Sequence, residues 1–398
     1  MSDAHSDQVT FKAFFEKISK DQPESPYEKF MLLSNPFPAA GQFIADICVD
    51  QEEVKFEFLR KLQDFYTDGR STRVRITGET GAGKTNILRF FEKQIREAPV
   101  NDLFSVFIQE PQGSYLQVHR QLVSQIGALF YTRFFEVMRS GSVKFTDLKT
   151  ELAGLNPELV RVLEQTALGN RAQASLFGPD LTFLRTLDNW LQGIKLSSSE
   201  KKQLGGVSVE IGSSSTLAVK FTSDLLRIFR YAQLFKGLTI LFDEFEEIFS
   251  GLTAVQQSQY AQDLRNLFDS LPDGIIFVIA TAPLSTRLDQ LSPALTRRLG
   301  TNVTLQPIVD EESALDYARE YIRLGRKRYE ERAKKERKLK ATLPKNIPTQ
   351  DKDFYPLTRT SIIDYYQKLR EQAATTPGDF LPVLNLALYR LVYEEREA

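Results

Sequence analysis

The sequence has little of the chemistry that metal centres, disulfides and thiol catalysis require. Among its 398 residues are one cysteine, Cys48, and two histidines, His5 and His119. A single cysteine forms no internal disulfide and no multi-thiolate metal site, and two histidines argue against a zinc centre or a Ser-His site. Any chemistry of this chain must come from other residue types.

Long apolar runs and a large net charge of either sign are also missing. No window approaches the roughly 20 apolar residues that span a bilayer, and the first residues contain no apolar signal core. We therefore expect a cytoplasmic protein with no membrane partner. Because 51 basic residues nearly cancel 52 acidic ones, any attraction to nucleic acid must come from a local patch.

What the sequence does contain is a glycine-rich loop between two structured segments. Residues 78–85, GETGAGKT, fit the pattern G-x-x-x-x-G-K-[ST]. Val74 and Ile76 predict a strand before the loop, and NILRFFEKQIRE predicts a helix after it. Backbone N–H groups of such a loop surround a phosphate, and the N-terminus of the following helix adds a favourable dipole. The pattern predicts a phosphate-binding loop; the alternative is a turn that binds nothing.

Two side chains of this loop have specific expected roles toward ATP and Mg²⁺. Lys84 should reach the β- and γ-phosphates, and the Thr85 hydroxyl should ligate Mg²⁺. The expected nucleotide-binding residues are Gly78, Glu79, Thr80, Gly81, Ala82, Gly83, Lys84, Thr85 and Asn86.

A second motif supplies adjacent carboxylates. Residues 238–242 form a continuous apolar run, as expected of a strand covered on both faces. At its end, Asp243 is expected to orient the Mg²⁺ shell and Glu244 to polarise the attacking water. Glu246 and Glu247 are expected in the solvated first turn of the next helix. The alternative is an acidic helix cap after a core strand.

A third strand, predicted at 274–283, ends in Thr281, which is placed to hydrogen-bond the γ-phosphate or the lytic water. This arrangement resembles the polar sensor of the AAA+ superfamily. Downstream, Arg297 and Arg298 in LSPALTRRLG resemble the region where AAA+ proteins carry the arginine finger that reaches a neighbouring subunit's ATP. That resemblance implies a homo-oligomer; the alternative for the arginines is a solvated helix end.

The organisation along the chain agrees with an α/β fold, which the resemblance to AAA+ proteins implies is of the P-loop NTPase type. It should have a central parallel sheet, a helical insertion between the two motifs and a C-terminal helical lid. Lys84 and Asp243 are 159 positions apart, far more than one strand and two helices need. The predicted parts are an N-terminal arm (1–30), an ATPase core (31–130 and 223–304), an insertion (131–222) and the lid (305–398).

Within the insertion, we expect Trp190 to anchor the core. The glycine- and serine-rich stretch that follows is either a flexible loop or a partner-contact surface.

The lid contains a strongly basic segment. Residues 323–340 hold ten Lys or Arg against three Glu, which indicates either a solvated helix face or contact with the phosphate backbone of DNA. In initiator-like AAA+ proteins, a sensor arginine follows a Gly-Asp pair of the lid. Here Phe380 and Leu381 occupy those positions, so we assign no such residue.

The phosphate-binding loop is followed along the chain by a helical insertion with NWLQG, then by KKQLGGV and FKGLTILFDEFEEI. This order resembles the BrxD-like prokaryotic ATPases of BREX phage-defence loci. Those proteins are similar to origin-recognition initiators. The resemblance covers roughly residues 30–398 and implies ATP-dependent assembly on DNA with protein partners of a defence or DNA-processing system. Transposition-type AAA+ regulators are the nearest competitor.

Two functions of other classes stay open. One is a slow nucleotide switch of signalling type, which binds protein partners through the insertion and needs no DNA. The other is a P-loop kinase, which is disfavoured because Glu244 beside Asp243 suits activation of water.

Overall fold

The computed structural model describes residues 25–111, 113–168, 181–249, 251–283, 292–336 and 341–393. The strands are β1 (Thr72–Thr77), β2 (Leu103–Ile108), β3 (Gly237–Phe242), β4 (Ile275–Thr281) and β5 (Thr301–Thr304). The α-helices are α1 (Glu52–Asp68), α2 (Lys84–Glu97), α3 (Tyr115–Arg139), α4 (Phe145–Glu151), α5 (Pro157–Leu168), α6 (Leu181–Leu191), α7 (Ser198–Gln203), α8 (Ser215–Tyr231), α9 (Ala254–Ser270), α10 (Pro293–Thr296), α11 (Glu311–Glu336), α12 (Arg359–Glu371) and α13 (Pro377–Tyr393).

The five strands form one parallel sheet in the order β2-β3-β4-β1-β5. Every residue of β3 and β4 is buried, as continuous apolar runs covered by helices on both faces require. The predicted α/β class and the central parallel sheet are confirmed. Because all strands are parallel, their carboxyl ends lie at one edge, and the segments after β1, β3 and β4 meet there.

The sheet belongs to a compact unit that runs from Gln51 to Gln306. The two ends of this unit are joined by the side chain of Gln51, which donates to the Gln306 carbonyl and accepts from the Gln306 N–H, both at 2.9 Å. The described residues of the predicted insertion, 131–222, belong to this same unit. Its apolar residues share one hydrophobic cluster with β2, β3 and β4, because α3 starts at the sheet and continues past residue 131.

The glycine- and serine-rich stretch after Trp190 is held by specific contacts. The Glu158 carboxylate accepts hydrogen bonds from the backbone N–H groups of Ser208 and Val209, each at 2.7 Å. The buried Trp190 indole donates to the Val209 carbonyl at 3.0 Å and packs edge-on against Phe221. Trp190 therefore anchors this region as expected, and the stretch near Val209 is fixed to α5 and α6.

The second compact unit combines residues up to and including Asp50 with residues from Pro307 onward. Residues 31–50, which were expected in the ATPase core, pack with the C-terminal helices. Phe37 is buried in the same hydrophobic cluster as Phe380 and Leu381 of α13. The long basic segment is helical as far as Glu336 within α11. Residues 1–24 of the predicted arm and residues 337–340 of the basic segment lie outside the described residues.

Candidate functional site

The glycine-rich loop connects β1 directly to α2 and is tightly folded. Gly81 and Gly83 have φ values of 80° and 93°, a region that residues with a Cβ rarely adopt. A Cβ added at Gly78 would lie 3.0 Å from the Ala82 Cβ and 3.1 Å from the Leu305 Cβ. This loop conformation therefore requires glycine at these positions. The loop ends at the N-terminus of α2, where the N–H groups of the first helical turn have no partner within the helix.

Lys84 is the first residue of α2 and its ammonium group lies over the loop. Its Nζ donates to the carbonyls of Gly78 at 2.8 Å and Glu79 at 3.2 Å. Glu79, Thr80 and Gly81 are exposed, while Asn86 in the first turn of α2 is half-buried. The loop thus offers one positive charge and exposed main chain at the carboxyl edge of the sheet.

Asp243 joins the second motif to the first. Its Oδ2 accepts a hydrogen bond from the Thr85 hydroxyl at 2.7 Å, across 158 positions of sequence. The Asp243 N–H donates to the Ile108 carbonyl at the end of β2, at 3.0 Å. Asp243 is only 2% exposed, and burial raises the pKa of its carboxyl group. The two residues predicted to hold Mg²⁺, Thr85 and Asp243, are in direct contact.

Glu244 follows with a backbone that is uncommon for a residue with a side chain. Its φ is 50°, and its N–H donates to the Asp243 Oδ1 at 3.1 Å. Burial raises the pKa of Glu244, and the neighbouring charges of Asp243, Glu110, Glu246 and Glu247 raise it further. Such an environment favours a carboxyl group that takes up a proton.

Two details of this acidic stretch differ from the prediction. Glu246 and Glu247 lie in a short 3-10 helix, Phe245–Phe249, and are half-buried instead of solvated. The reason is that Phe245 enters the core, with its ring 5.7 Å from that of Phe242, and so draws the turn against the sheet.

Thr281 ends β4, which lies between β3 and β1. Its carbonyl accepts the Gly78 N–H at 3.3 Å, so it directly neighbours the glycine-rich loop. Its side chain is fully buried, and its hydroxyl has no hydrogen-bond partner among the described residues. Because buried polar atoms are nearly always paired, this hydroxyl is an unexplained polar group of the site.

Arg297 and Arg298 follow the short helix α10, whose N-terminus is capped by the Ser292 side chain. Arg298 is bound within the chain, since its Nε donates to the Asp269 carboxylate at 2.7 Å and its Nη1 to the Ala294 carbonyl at 3.0 Å. Arg297 is exposed, and its side chain has no hydrogen bond or ion pair in the described part of the chain. Among the described residues, neither arginine forms a hydrogen bond or ion pair with Lys84, Thr85 or Asp243.

Two neighbours of the site, Glu110 and Leu305, belong to none of the predicted motifs. Glu110 follows β2 and adds negative charge near Glu244, while Leu305 follows β5 and closes off Gly78. Both come just after strands, so the rule that sites lie at carboxyl ends of parallel strands could have indicated them.

Neither a scan against protein-family models nor a search of curated proteins found a match to this chain. Within the described ranges, no helix is long and apolar enough to cross a bilayer.

Proposed function

We propose that this chain is a Mg²⁺-dependent ATPase of the AAA+ type. The observation that carries the proposal is the 2.7 Å hydrogen bond between the hydroxyl of Thr85 and the carboxylate of Asp243. It joins a glycine-rich loop and an acidic strand end, which together are the parts that P-loop ATPases need. The parallel sheet with both motifs at its carboxyl edge supports the same function.

The residues of the site fit a nucleoside triphosphate with Mg²⁺. Gly81 and Gly83 have no side chain and adopt positive φ values, so backbone N–H groups there can approach phosphate oxygens. A hydroxyl and a carboxylate, Thr85 and Asp243, are the oxygen donors that Mg²⁺ prefers. Lys84 now bonds two loop carbonyls and would exchange them for phosphate oxygens. Bound Mg²⁺ would neutralise negative charge on the phosphates.

The remaining polar residues supply the hydrolytic step. Glu244 has a raised pKa and would orient a water molecule and accept its proton. The unpartnered Thr281 hydroxyl would donate to the γ-phosphate or to that water. An unpaired buried hydroxyl costs about 1–3 kcal/mol, so a ligand there would recover part of this free energy.

We extend the proposal to assembly on DNA in a prokaryotic anti-phage defence or DNA-processing system. Arg297 supports oligomers, because an exposed arginine can reach a neighbouring subunit's phosphate. In α11, Lys327, Lys334 and Lys335 are exposed without a partner in the described part of the chain. Others are bound locally: Arg328 pairs with Asp46, and Arg326 donates to two carbonyls. Three such lysines suit phosphate contacts, and DNA affinity should then fall steeply with salt.

Titration calorimetry of Mg·ATP into the purified chain tests the function. We expect heat of binding for the wild type and none for Lys84→Ala. The substitution removes the ammonium group that would contact the phosphates. Lys93→Ala on the same helix is the matched control and should bind like the wild type. Equal affinity of Lys84→Ala and wild type would remove the phosphate-binding role. If the protein binds ATP but hydrolyses it slowly, at a rate that DNA does not change, the nucleotide switch of signalling type would be favoured instead.

A further inference from the structure

A cavity of about 410 Å³ lies at the amino edge of the parallel sheet. Its walls come from the last turns of α8, from Leu152 just after α4, from the turn after α9, and from Ile275, the first residue of β4. Because all strands are parallel, this edge is opposite the one that carries the glycine-rich loop, and β4 separates the two edges by about 20 Å. The volume falls within the roughly 300–1,000 Å³ of small-molecule sites. We call this space the amino-edge cavity.

The floor of the amino-edge cavity is apolar. Leu226, Leu271 and Ile275 are buried members of the large hydrophobic cluster around the sheet. Leu152 and Tyr231 pack against the same cluster and are half-buried. A ligand with an apolar body that covered this floor would remove apolar surface from water, which is favourable. The floor therefore favours a ligand with an apolar body.

One wall of the cavity carries a guanidinium group that has room for a further partner. Arg230 forms an ion pair with Asp273 at 3.6 Å, which is too long for a hydrogen bond. Its guanidinium group donates no hydrogen bond within the described ranges. The arginine stem lies across Gly274, where an added Cβ would be 2.5 Å from the Arg230 Cδ. The absence of a side chain at Gly274 thus leaves the space that Arg230 occupies beside the cavity.

A second guanidinium group adds positive charge. Arg227 donates to the Ala153 carbonyl at 3.2 Å and lies 3.7 Å from the Asp224 carboxylate. That carboxylate already accepts hydrogen bonds from the Lys220 ammonium at 2.6 and 2.7 Å and from the Asn156 N–H at 2.8 Å. Because Lys220 compensates the charge of Asp224, the charge of Arg227 is not cancelled by it.

Positive charge exceeds negative charge at the cavity wall. Among the described residues that line it, two are arginines and one, Asp273, is a carboxylate. Burial raises the pKa of Tyr231, and the charges of Glu151 and Asp147 raise it further, but neither carboxylate is among the lining residues. An apolar floor beside excess positive charge complements a molecule that has an apolar body and one negative group.

We propose that the amino-edge cavity binds a small monocarboxylic acid with an apolar body, whose carboxylate pairs with Arg230. A guanidinium group donates to both oxygens of a carboxylate, and the acid would then take the place that Asp273 occupies only loosely. This inference does not depend on nucleotide binding and goes beyond the proposed ATPase function.

Saturation-transfer NMR on the full chain tests the site with octanoate, octanol and octylamine, which share one apolar body. We expect octanoate to bind at least about tenfold more tightly than octanol, because a charge-assisted hydrogen bond is stronger than a neutral one. Octylamine should bind most weakly. Equal affinity of the three probes would indicate apolar adsorption only and would overturn the proposal, as would an absence of octanoate binding.

Two substitutions test the role of Arg230 with opposite signs. Arg230→Gln should weaken octanoate binding at least about tenfold, to the level of octanol, and should leave octanol binding unchanged. Asp273→Asn removes the carboxylate that competes for Arg230, so it should tighten octanoate binding about twofold to fivefold. The matched controls Arg161→Gln and Asp64→Asn remove charges of similar exposure outside the cavity. Both should bind octanoate like the wild type.

Unchanged octanoate affinity in Arg230→Gln would refute the pairing with this arginine. If Arg230→Gln fails to fold, Asp273→Asn decides, because it keeps the arginine and changes only its competitor. Octanoate affinity that is equal to or weaker than that of the wild type in Asp273→Asn would then overturn the proposal.

Discussion

At the scale of single residues, the acidic pair after β3 consists of two adjacent carboxylates with different surroundings. Asp243 is held by the Thr85 hydroxyl and by the backbone of β2, so its position is fixed from two directions. Glu244 has a left-handed backbone and lies among four other acidic groups. Such strain persists only where the surroundings enforce it, and it is frequent at functional sites. In the proposed function, Asp243 would hold Mg²⁺ in place and Glu244 would activate the attacking water.

Replacement of Glu244 by Gln tests this division. The amide has nearly the same shape but cannot accept a proton, so turnover should fall by about 10²–10⁴-fold while Mg·ATP binding is kept. Steady-state phosphate release and calorimetry measure the two quantities. Glu247→Gln, in the same acidic stretch, is the control and should hydrolyse ATP nearly normally. Near-normal hydrolysis by Glu244→Gln would remove this glutamate from the mechanism.

At the scale of elements, a buried chain of polar groups connects α3, α6 and α8. The Tyr115 hydroxyl donates to Thr222 Oγ1 at 3.0 Å, and His119 contacts the same oxygen through Nδ1 at 2.7 Å. The other ring nitrogen, Nε2, lies 2.6 Å from the Leu191 carbonyl. Because a carbonyl only accepts, Nε2 carries the proton. Burial lowers the pKa of His119 to about 4, so the folded protein holds a neutral imidazole.

The stability of the fold should therefore depend on pH through His119. The pKa is about 4 when folded and 6.5 as the ordinary value, so between these values the unfolded chain binds the extra proton. The stabilising contribution is complete above pH 6.5 and is lost as the pH falls, with a slope approaching about 1.4 kcal/mol per pH unit.

Urea unfolding of the wild type and His119→Gln between pH 7 and pH 5 measures this slope. Gln can keep a donor and an acceptor but does not titrate, so the variant should lose less stability on acidification. Carboxylates contribute equally to both proteins and cancel in the comparison. Parallel curves for the two proteins would contradict the assigned neutral histidine.

The sheet also belongs to this scale, because strand order brings the site together. β4 lies between the two motif strands and places Thr281 beside the loop, with its hydroxyl buried. If β4 lay at an edge, the same sequence would leave Thr281 far from Gly78. Local pattern thus predicts the strands, and packing of the whole sheet decides which residues meet.

At the scale of the whole molecule, the two adjacent arginines after α10 have different environments. Arg298 is held by Asp269 of its own chain, whereas Arg297 projects into solvent. A group that completes a neighbour's site must be free to leave its own subunit. We therefore expect Arg297 to act between subunits and Arg298 to stabilise the turn after α10.

The variants Arg297→Ala and Arg298→Ala separate these roles. Arg297→Ala should lose about a thousandfold or more in turnover, as for an arginine finger supplied in trans, with ATP binding and melting temperature unchanged. Arg298→Ala should hydrolyse ATP much better than Arg297→Ala. Mixing Arg297→Ala with Glu244→Gln protein should restore part of the activity, because some interfaces then combine an intact Glu244 with an intact Arg297. No recovery at any ratio would argue against shared sites.

The sequence by itself determined the glycine-rich loop, the apolar strands and the acidic strand end, because each is a local pattern whose meaning depends on a few neighbouring residues. Only the tertiary structure decided the order of the strands, the contact of Thr85 with Asp243, the burial of the Thr281 hydroxyl and the different environments of Arg297 and Arg298. It also decided that residues 31–50 pack with the C-terminal helices. The physical reason is that these properties come from side chains far apart in the chain, whose pairing depends on how the whole apolar surface is buried.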